Sequence, residues 1–482
     1  MSERLSARDL AVLAGESASA PRHHATIEIF DPADSGFDYA RLIELVGDVI
    51  SFVPRYRQRV VSVPGRLANP VWVDDPDFDI GYHVRRSALP RPGSADQLRE
   101  LVARIVSRPL DRQRPLWEVY LVEGLEHGRV AMLSKSHQVL VDGVHTVDLA
   151  QVLLDRSPVA RPFQHDDWRP LSAPTQTGLL AAAVQAAVTD PASVLDTARA
   201  SLDAVRRSAE TVAGRAGHVV GALANRRPTG DNPLGGPLSH QRRIVTVATD
   251  LSDYLEVRKA HGGTVNDAIL ATVTGAVRSW LLGRAESMLG VRNIKTVVPM
   301  SVVDRELENT SLGSPIVAYL VDLPVGEVNP VVRLHQVSYQ FQAHKETGRL
   351  VAANRLAGIA GFAPSTFHAI GARVAAAEVR RGFQLSVTNV PGPQAPLYAA
   401  GARMLETYPV HPLLPGHALA IGVTSYDGHV FYGITADRDR VPDADLLGQS
   451  VPEALTELLD TIDGRAKAPR GRRGRSTGKK GR

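Results

Sequence analysis

The chain of 482 residues contains no cysteine. Disulfides, thiolate metal sites and cysteine nucleophiles are excluded at once. A cysteine-free chain fits a reducing compartment, and we expect a cytoplasmic protein. Long apolar runs are missing too. No stretch approaches the roughly 18 unbroken apolar residues that mark a membrane-spanning helix. The opening residues, "MSERLSARDLAVLAGE", carry charges where a secretory leader needs an apolar segment. Aromatic residues are sparse at 5%. No basic patch in the body of the chain is interleaved with them, so no specific nucleic acid partner is expected.

What is present is ordinary for a globular protein: 44% hydrophobic and 22% charged residues. The length exceeds one hydrophobic core and predicts two domains. The formal charge of +4 is misleading. Nine of the 55 Lys and Arg lie in the last 18 residues, "RAKAPRGRRGRSTGKKGR" (465–482), with no acid among them. The remainder carries 46 basic against 51 acidic residues, a formal charge of −5. The tail holds no apolar residue larger than Ala or Pro, so it is predicted to be disordered. Its cations suit an anionic lipid surface, each worth on the order of 1 kcal/mol there. A solvated tail without a partner is the alternative.

Ahead of the tail, three stretches follow from composition and period. Residues 1–165 alternate strand-like and helix-like runs. "ATIEIF" (25–30) alternates with period two and reads as a strand, whereas "YARLIELVGDVI" (39–50) repeats apolar positions at three and four and reads as a helix. "VARIVSRPL" is a helix stopped by Pro109. "WEVYLVEGL" and "VAMLSKSHQVLV" read as neighbouring strands, and "TVDLAQVLLD" (146–155) as the helix after them. Residues 166–240 are Ala-rich and helical in period, bracketed by Pro- and Gly-rich runs. They read as a connector whose apolar stripe packs on the body, with a membrane surface as the alternative. Residues 241–464 resume the mixed pattern. There "NDAILATVTGAVRSWLL" is a helix with Asn266 and Asp267 at its start, where side-chain oxygens can accept amides. "ALAIGVTSYDGHVFYGITAD" is a hairpin turning at Asp427-Gly428.

Chemistry concentrates in "SKSHQVLVDGVH" (134–145). Strand alternation sends Ser134, Ser136 and Gln138 one way, Lys135 and His137 the other. Asp142-Gly143 is a turn pair that ends the strand. By itself a His five residues before Asp-Gly is equally well a buried His beside a strand-to-helix turn.

The whole set of motifs decides more. "FVPRYRQRVV" (52–61), "PVWVDDPDFDIGYHVRR" (70–86), "LDRQRPLWEVYLVEGL" (110–125), "VNDAIL" (265–270), "TNVPGP" (388–393) and "SYDGHVFYGITADRD" (425–439) stand in the order and spacing of one family. The chain resembles the bacterial wax ester synthase/diacylglycerol acyltransferases, above all their actinobacterial triacylglycerol synthase branch, over about residues 5–460. The resemblance implies two chloramphenicol-acetyltransferase-like α/β domains with mixed sheets, joined by a helical crossover, with the motif at their interface. It implies transfer from long-chain acyl-CoA, a co-substrate, to diacylglycerol or another hydrophobic alcohol. No cofactor and no metal is needed in that scheme, and a peripheral membrane or lipid-droplet location goes with it.

The family signature is H-H-x-x-x-D-G, and its second His takes the proton of the acceptor hydroxyl. Here it reads His137, Gln138, then Asp142 and Gly143. Asp142 is expected to be structural, pairing with a cation to hold the loop. Gly143 lets the backbone approach the reacting centre. A neutral amide is no base, but it can orient a hydroxyl. Loss of general base catalysis costs about 10²–10⁴-fold. His137, a strand neighbour pointing the other way, reads as holding the strand. His145, three residues past Asp142, is a candidate replacement base; the related chloramphenicol enzymes carry a His at that offset. Pro115, Leu116 and Trp117, with Asn266, Asp267 and Asn389, are the substrate-binding candidates. Each also reads as structural: a turn and core strand, a helix cap, a loop former.

Two further departures accompany Gln138. The family's P-L-N-G-P reads Pro233, Leu234, Gly235, Gly236, Pro237, and its L-G-N reads Leu312, Gly313, Ser314. They leave three readings: a slow or specialised acyltransferase, a non-catalytic acyl-lipid-binding or regulatory relative, and an acyltransferase for a different hydroxyl acceptor.

Overall fold

The computed structural model describes residues 3–32, 35–66, 68–140, 149–159, 168–189, 234–284, 291–301, 316–346 and 382–462. Within them, strands β1 (His23–Asp31), β4 (Val84–Ala88), β5 (Trp117–Glu123), β6 (Val130–His137), β11 (Tyr398–Ala399) and β12 (Ala402–Val410) form one six-stranded sheet. Its order is β11-β12-β1-β6-β5-β4. Strands β7 (Arg242–Asp250), β8 (Ile294–Ser301), β9 (Ile316–Leu323), β10 (Leu385–Pro391), β13 (Leu419–Tyr426) and β14 (His429–Asp437) form a second, in the order β7-β14-β13-β10-β8-β9. Strands β2 (Gln58–Val61) and β3 (Val71–Asp74) make a small antiparallel ribbon. Both large sheets are mixed. β4 runs parallel to β5, and β10 parallel to both β13 and β8, while the other pairs are antiparallel. This is the mixed α/β, two-sheet architecture that the motifs imply.

Each sheet has its own core. Leu42, Leu45 and Val46 of the Tyr39–Ser51 helix pack with Val119, Leu121 and Leu133 of the first sheet. Val273 and Val277 of the Val265–Gly283 helix, with Leu447 and Leu455 of the Ala444–Leu459 helix, pack on β10, β13 and β14. Helix ends follow local chemistry. Ser94 caps the Ala95–Val106 helix in a reciprocal box with Gln97. That helix stops three residues before Pro109, with Ser107 Oγ bonding Ala103 O at 2.6 Å. The cap of the Val265–Gly283 helix is Thr264 rather than Asn266. Thr264 Oγ1 accepts from the Asp267 amide at 3.1 Å, and Asp267 Oδ2 accepts from the Thr264 amide at 2.9 Å.

Chain order and sheet membership part company at β12. Residues 398–410 belong to the stretch 241–464, yet they complete the first sheet by pairing with β1, Ala25 opposite Val410. Past that pairing the chain crosses the second sheet at two glycines. A Cβ on Gly433 would lie 1.8 Å from Pro409 O, and one on Gly422 2.6 Å from His411 Nε2. Only glycine admits so close a crossing. The Ala95–Val106 helix adds a second bridge, packed on β7. The Arg242 amide donates to Ser107 Oγ at 3.0 Å, and the Arg242 guanidinium to Ser19 O. Of the connector, the Gln176–Thr189 helix is described, and its Leu179 packs on Val71 and Val73 of the ribbon. No helix among the described residues is long and apolar enough to cross a membrane. Most of the connector and the basic tail lie outside the described residues.

Candidate active site

β6 carries the motif through the middle of the first sheet, between β1 and β5, and all eight of its residues are buried. Both faces of the strand are therefore covered, and alternation decides what each side chain meets. Lys135 reaches the C-terminal end of the Ala95–Val106 helix, donating to Ile105 O at 3.2 Å and Arg108 O at 2.6 Å.

His137 turns to the same face. Its Nδ1 accepts from the Val139 amide at 3.2 Å, which leaves the proton of a neutral ring on Nε2. Nε2 lies 3.5 Å from Glu16 Oε2. Glu16 also accepts from Arg112 Nη2 at 2.5 Å and Nε at 3.1 Å, and from the Arg22 amide at 3.0 Å. Burial works to raise the Glu16 pKa, but His137, the Arg22 amide and Arg112 outweigh it and hold the carboxylate ionised. Burial lowers the His137 pKa against the opposite pull of Glu16. The chain Arg112–Glu16–His137 thus ties the "LDRQRPLW" stretch to the end of β6, and the His137 ring is held as a strut. No sequence pattern marks Glu16, which lies about 120 residues away in chain order.

Gln138 is different. It is 1% exposed, and neither its Oε1 nor its Nε2 has a hydrogen-bond partner. Its amide N–H donates to Arg22 O at 2.9 Å, so Arg22 is its neighbour at the end of β1. Arg22 is 8% exposed, and its Nε and Nη1 are likewise buried without a hydrogen-bond partner. Burial lowers the Arg22 pKa, and Glu16 pulls it back up. Four buried polar atoms without partners, on adjoining strand ends, are unusual, because each unmade bond costs about 1–3 kcal/mol.

The "PLW" stretch lies beneath the motif. Leu116 O accepts from the His137 amide at 2.9 Å. Trp117 is fully buried, donates from Nε1 to Tyr56 O at 2.7 Å, and stacks on His83 with ring centroids 4.5 Å apart. Pro115 O accepts from the Trp117 amide at 3.0 Å, closing the turn into β5. These contacts are those of a turn and a core strand.

From the second sheet, Asn389 on β10 donates from Nδ2 to Asn266 Oδ1 at 2.9 Å. Asp267 caps its own helix and accepts from Ser338 Oγ at 3.0 Å. Thr388, beside Asn389, bonds His411 Nε2 through Oγ1 at 2.5 Å. Burial, with His24 adding to it, lowers the His411 pKa to about 3. No motif marks this buried pair. The pair His23-His24, which lacks an Asp-Gly at the right spacing, flanks the motif on β1, opposite His137 and Ser136. Asp142, Gly143 and His145 lie outside the described residues, as do Pro233, Leu312, Gly313 and Ser314. Leu234 is buried, and Gly235 bridges to His417.

Residues 5–269 match the family model of the wax ester synthase/diacylglycerol acyltransferase catalytic domain, and residues 312–459 that of the WS/DGAT C-terminal domain. The chain belongs to the wax ester synthase/diacylglycerol acyltransferase family. A Mycobacterium tuberculosis relative in that family, the probable diacylglycerol O-acyltransferase tgs1, is 34% identical over 424 residues, 87% of each chain. A second from the same organism, the probable diacylglycerol O-acyltransferase tgs3, is 41% identical over 260 residues, 54% of this chain and 96% of the relative. The solved wax ester synthase/diacylglycerol acyltransferase from Marinobacter aquaeolei VT8 superposes with a TM-score of 0.64 at 25% identity, over 94% of this chain and 98% of that one. The first condensation domain of the CDA synthetase shares the fold, with a TM-score of 0.53 at 15% identity over 96% and 97% of the two chains.

Proposed function

We propose that this family member transfers a long-chain acyl group from acyl-CoA to the hydroxyl of a diacylglycerol or a long-chain alcohol, slowly, with Gln138 in the place of the base. The hydroxyl oxygen bonds to the thioester carbon, the C–S bond breaks, and the hydroxyl proton ends on the departing sulfur of CoA. The observation that carries this reading is the buried, unpartnered side-chain amide of Gln138, whose backbone bonds that of Arg22, a residue with buried, unpartnered guanidinium nitrogens of its own. Polar atoms kept there are complete only with a polar ligand. Gln138 Oε1 can accept from the acceptor hydroxyl, and Arg22 can stabilise negative charge on the thioester oxygen. Positioning and charge stabilisation leave a slow enzyme when general base catalysis is lost. His137 does not replace the base, because its ring is turned to Glu16 and the Val139 amide.

The regulatory reading has its own support: among the described residues of the motif, no imidazole is left to take a proton. Incubating the purified full-length chain with labelled palmitoyl-CoA and a panel of alcohols and diacylglycerols separates the readings. Slow ester formation is expected, and Gln138→His should raise it by about 10- to 1000-fold. Acyl-CoA binding without turnover in both proteins overturns the catalytic reading. If His145→Ala abolishes the rate while Gln138→His changes little, the base has moved to His145.

The acceptors are insoluble in water, and the nine cations of residues 465–482 are suited to hold the chain at an anionic leaflet.

A further inference from the structure

On the face of the first sheet that Lys135 meets, the Ala95–Val106 helix and the β4 edge leave a cleft of about 460 Å³ between them. Its charge is one-sided. Arg85, Arg104, Arg108 and Lys135 line it against two carboxylates, Glu118 and Asp111. The surplus of two positive charges sits in a body whose formal charge, without its tail, is −5. Folding therefore gathers cations here against the average.

The four cations differ in what they are doing. Lys135, 1% exposed, forms the floor, and it lies 3.6 Å from Glu118 Oε2. Arg85 is held at 3.1 Å from Glu118 Oε1, with its guanidinium over the rings of Tyr82 and Tyr120 at 4.7 and 5.7 Å. Arg104, in the last turn of the helix, and Arg108, just past its end, are both exposed. Neither has a carboxylate within ion-pair distance among the described residues. Two unneutralised guanidinium forks above a held third and a buried ammonium are a poor arrangement for folding alone. They are a good one for a doubly charged oxyanion.

We propose that this cleft binds a phosphate monoester. A monoester carries about −1.5 to −2 at pH 7, which matches the surplus, and its three terminal oxygens suit forked guanidinium donors. The cleft volume admits the phosphate with a glycerol- or ribose-sized group against the two tyrosine rings. The site is separate from the acyl-transfer reading. It opens on the Lys135 face, and neither Gln138 nor Arg22 lines it. The phosphate can come from a soluble metabolite, from coenzyme A or from a phosphatidic acid headgroup, and the three share the same recognition chemistry.

Lys135 supplies an internal reporter. Burial lowers its pKa to about 8, against the raising pull of Glu118. The charged and titratable groups facing it are Glu118, Tyr120 and Arg85 from the neighbouring strands with Tyr82 beside them, Glu16 and His23 from the β1 side, and Arg104, Arg108 and Asp111 from the helix end and the stretch after it. A dianion bound above Lys135 favours its charged form, so binding near pH 8 takes up protons.

The test is calorimetric titration of the full-length chain with glycerol 3-phosphate, coenzyme A and phosphatidic acid vesicles in phosphatidylcholine, in two buffers of different ionisation enthalpy. Saturable binding of at least one probe is expected, with proton uptake near pH 8. The double variant Arg104→Gln/Arg108→Gln should weaken it about tenfold or more at unchanged Tm, since two charge-assisted bonds are lost. The tail is present in both proteins and cancels. Which probe binds most tightly identifies the source of the phosphate. Binding that the double variant leaves unchanged, or no saturable binding of any probe, overturns the proposal. Coenzyme A can also enter the acyl-transfer site, so for that probe only the binding lost in the double variant counts; glycerol 3-phosphate decides the proposal independently of acyl transfer.

Discussion

Asn389 and Asn266 lie 123 positions apart in the chain and hold each other by a 2.9 Å side-chain hydrogen bond. The bond pins the first turn of the Val265–Gly283 helix to β10, one residue past the Thr388–His411 pair. Replacing either Asn by Ala should cost about 1 kcal/mol. The double variant should cost less than the sum, by about 0.5 kcal/mol or more. Urea denaturation of the four proteins measures this, and strict additivity would show that the two asparagines act independently.

Trp117 offers a sharper separation of structure from substrate binding. Trp117→Phe keeps an aromatic ring beside His83 but removes the bond donated to Tyr56 O. The expected result is a loss of about 1–3 kcal/mol in stability, with KM for acyl-CoA unchanged. A raised KM at unchanged Tm would give the tryptophan a direct part in binding.

Acid should act through His411. Its folded pKa is about 3 against an ordinary 6.5, lowered first by burial. Below pH 6.5 the unfolded chain takes up a proton that the folded chain refuses. Stability contributed by the neutral ring is thus fully present above that value and is lost as pH falls toward 3. At 1.36 kcal/mol per unit the loss is on the order of 5 kcal/mol at most. In His411→Gln, which cannot titrate, the slope of stability between pH 6 and 4 should flatten. An unchanged slope would place the acid-sensitive group elsewhere.

Deletion after Gly464 should leave Tm unchanged and remove most binding to phosphatidylserine vesicles at low salt. Sedimentation with the vesicles reads the bound fraction. Equal binding by the shortened chain would assign lipid contact to the body or the connector.

Much of the fold was legible because it is local. Alternation placed a strand at 25–30 and the structure extends it to His23–Asp31, while the 3.6 period placed the Tyr39–Ser51 helix almost to the residue. The Asp427-Gly428 turn has positive φ at both residues, 44° and 82°, as a two-residue hairpin requires. At the start of the Val265–Gly283 helix Asp267 does accept an amide, that of Thr264, but the cap itself is Thr264, which the pattern did not single out. Neither Glu16 beneath His137 nor Thr388 against His411 was legible, because in each pair a loop residue meets a strand residue only once the sheets have assembled. The place of β12 was hidden for the same reason: its pairing with β1 spans most of the chain.

That pairing also governs how the molecule comes into being. When synthesis has passed His137, β1 has β6 on one side, but its other edge waits for residues 402–410. At about 5–20 residues per second the intervening stretch takes on the order of fifteen seconds to a minute to emerge. Through that interval a nine-residue strand stands with a bare row of amides and carbonyls, the template on which foreign strands dock. A nascent chain stalled anywhere between the two halves would therefore be more prone to aggregate than either an early or a finished one, and its need for chaperones should peak midway through translation.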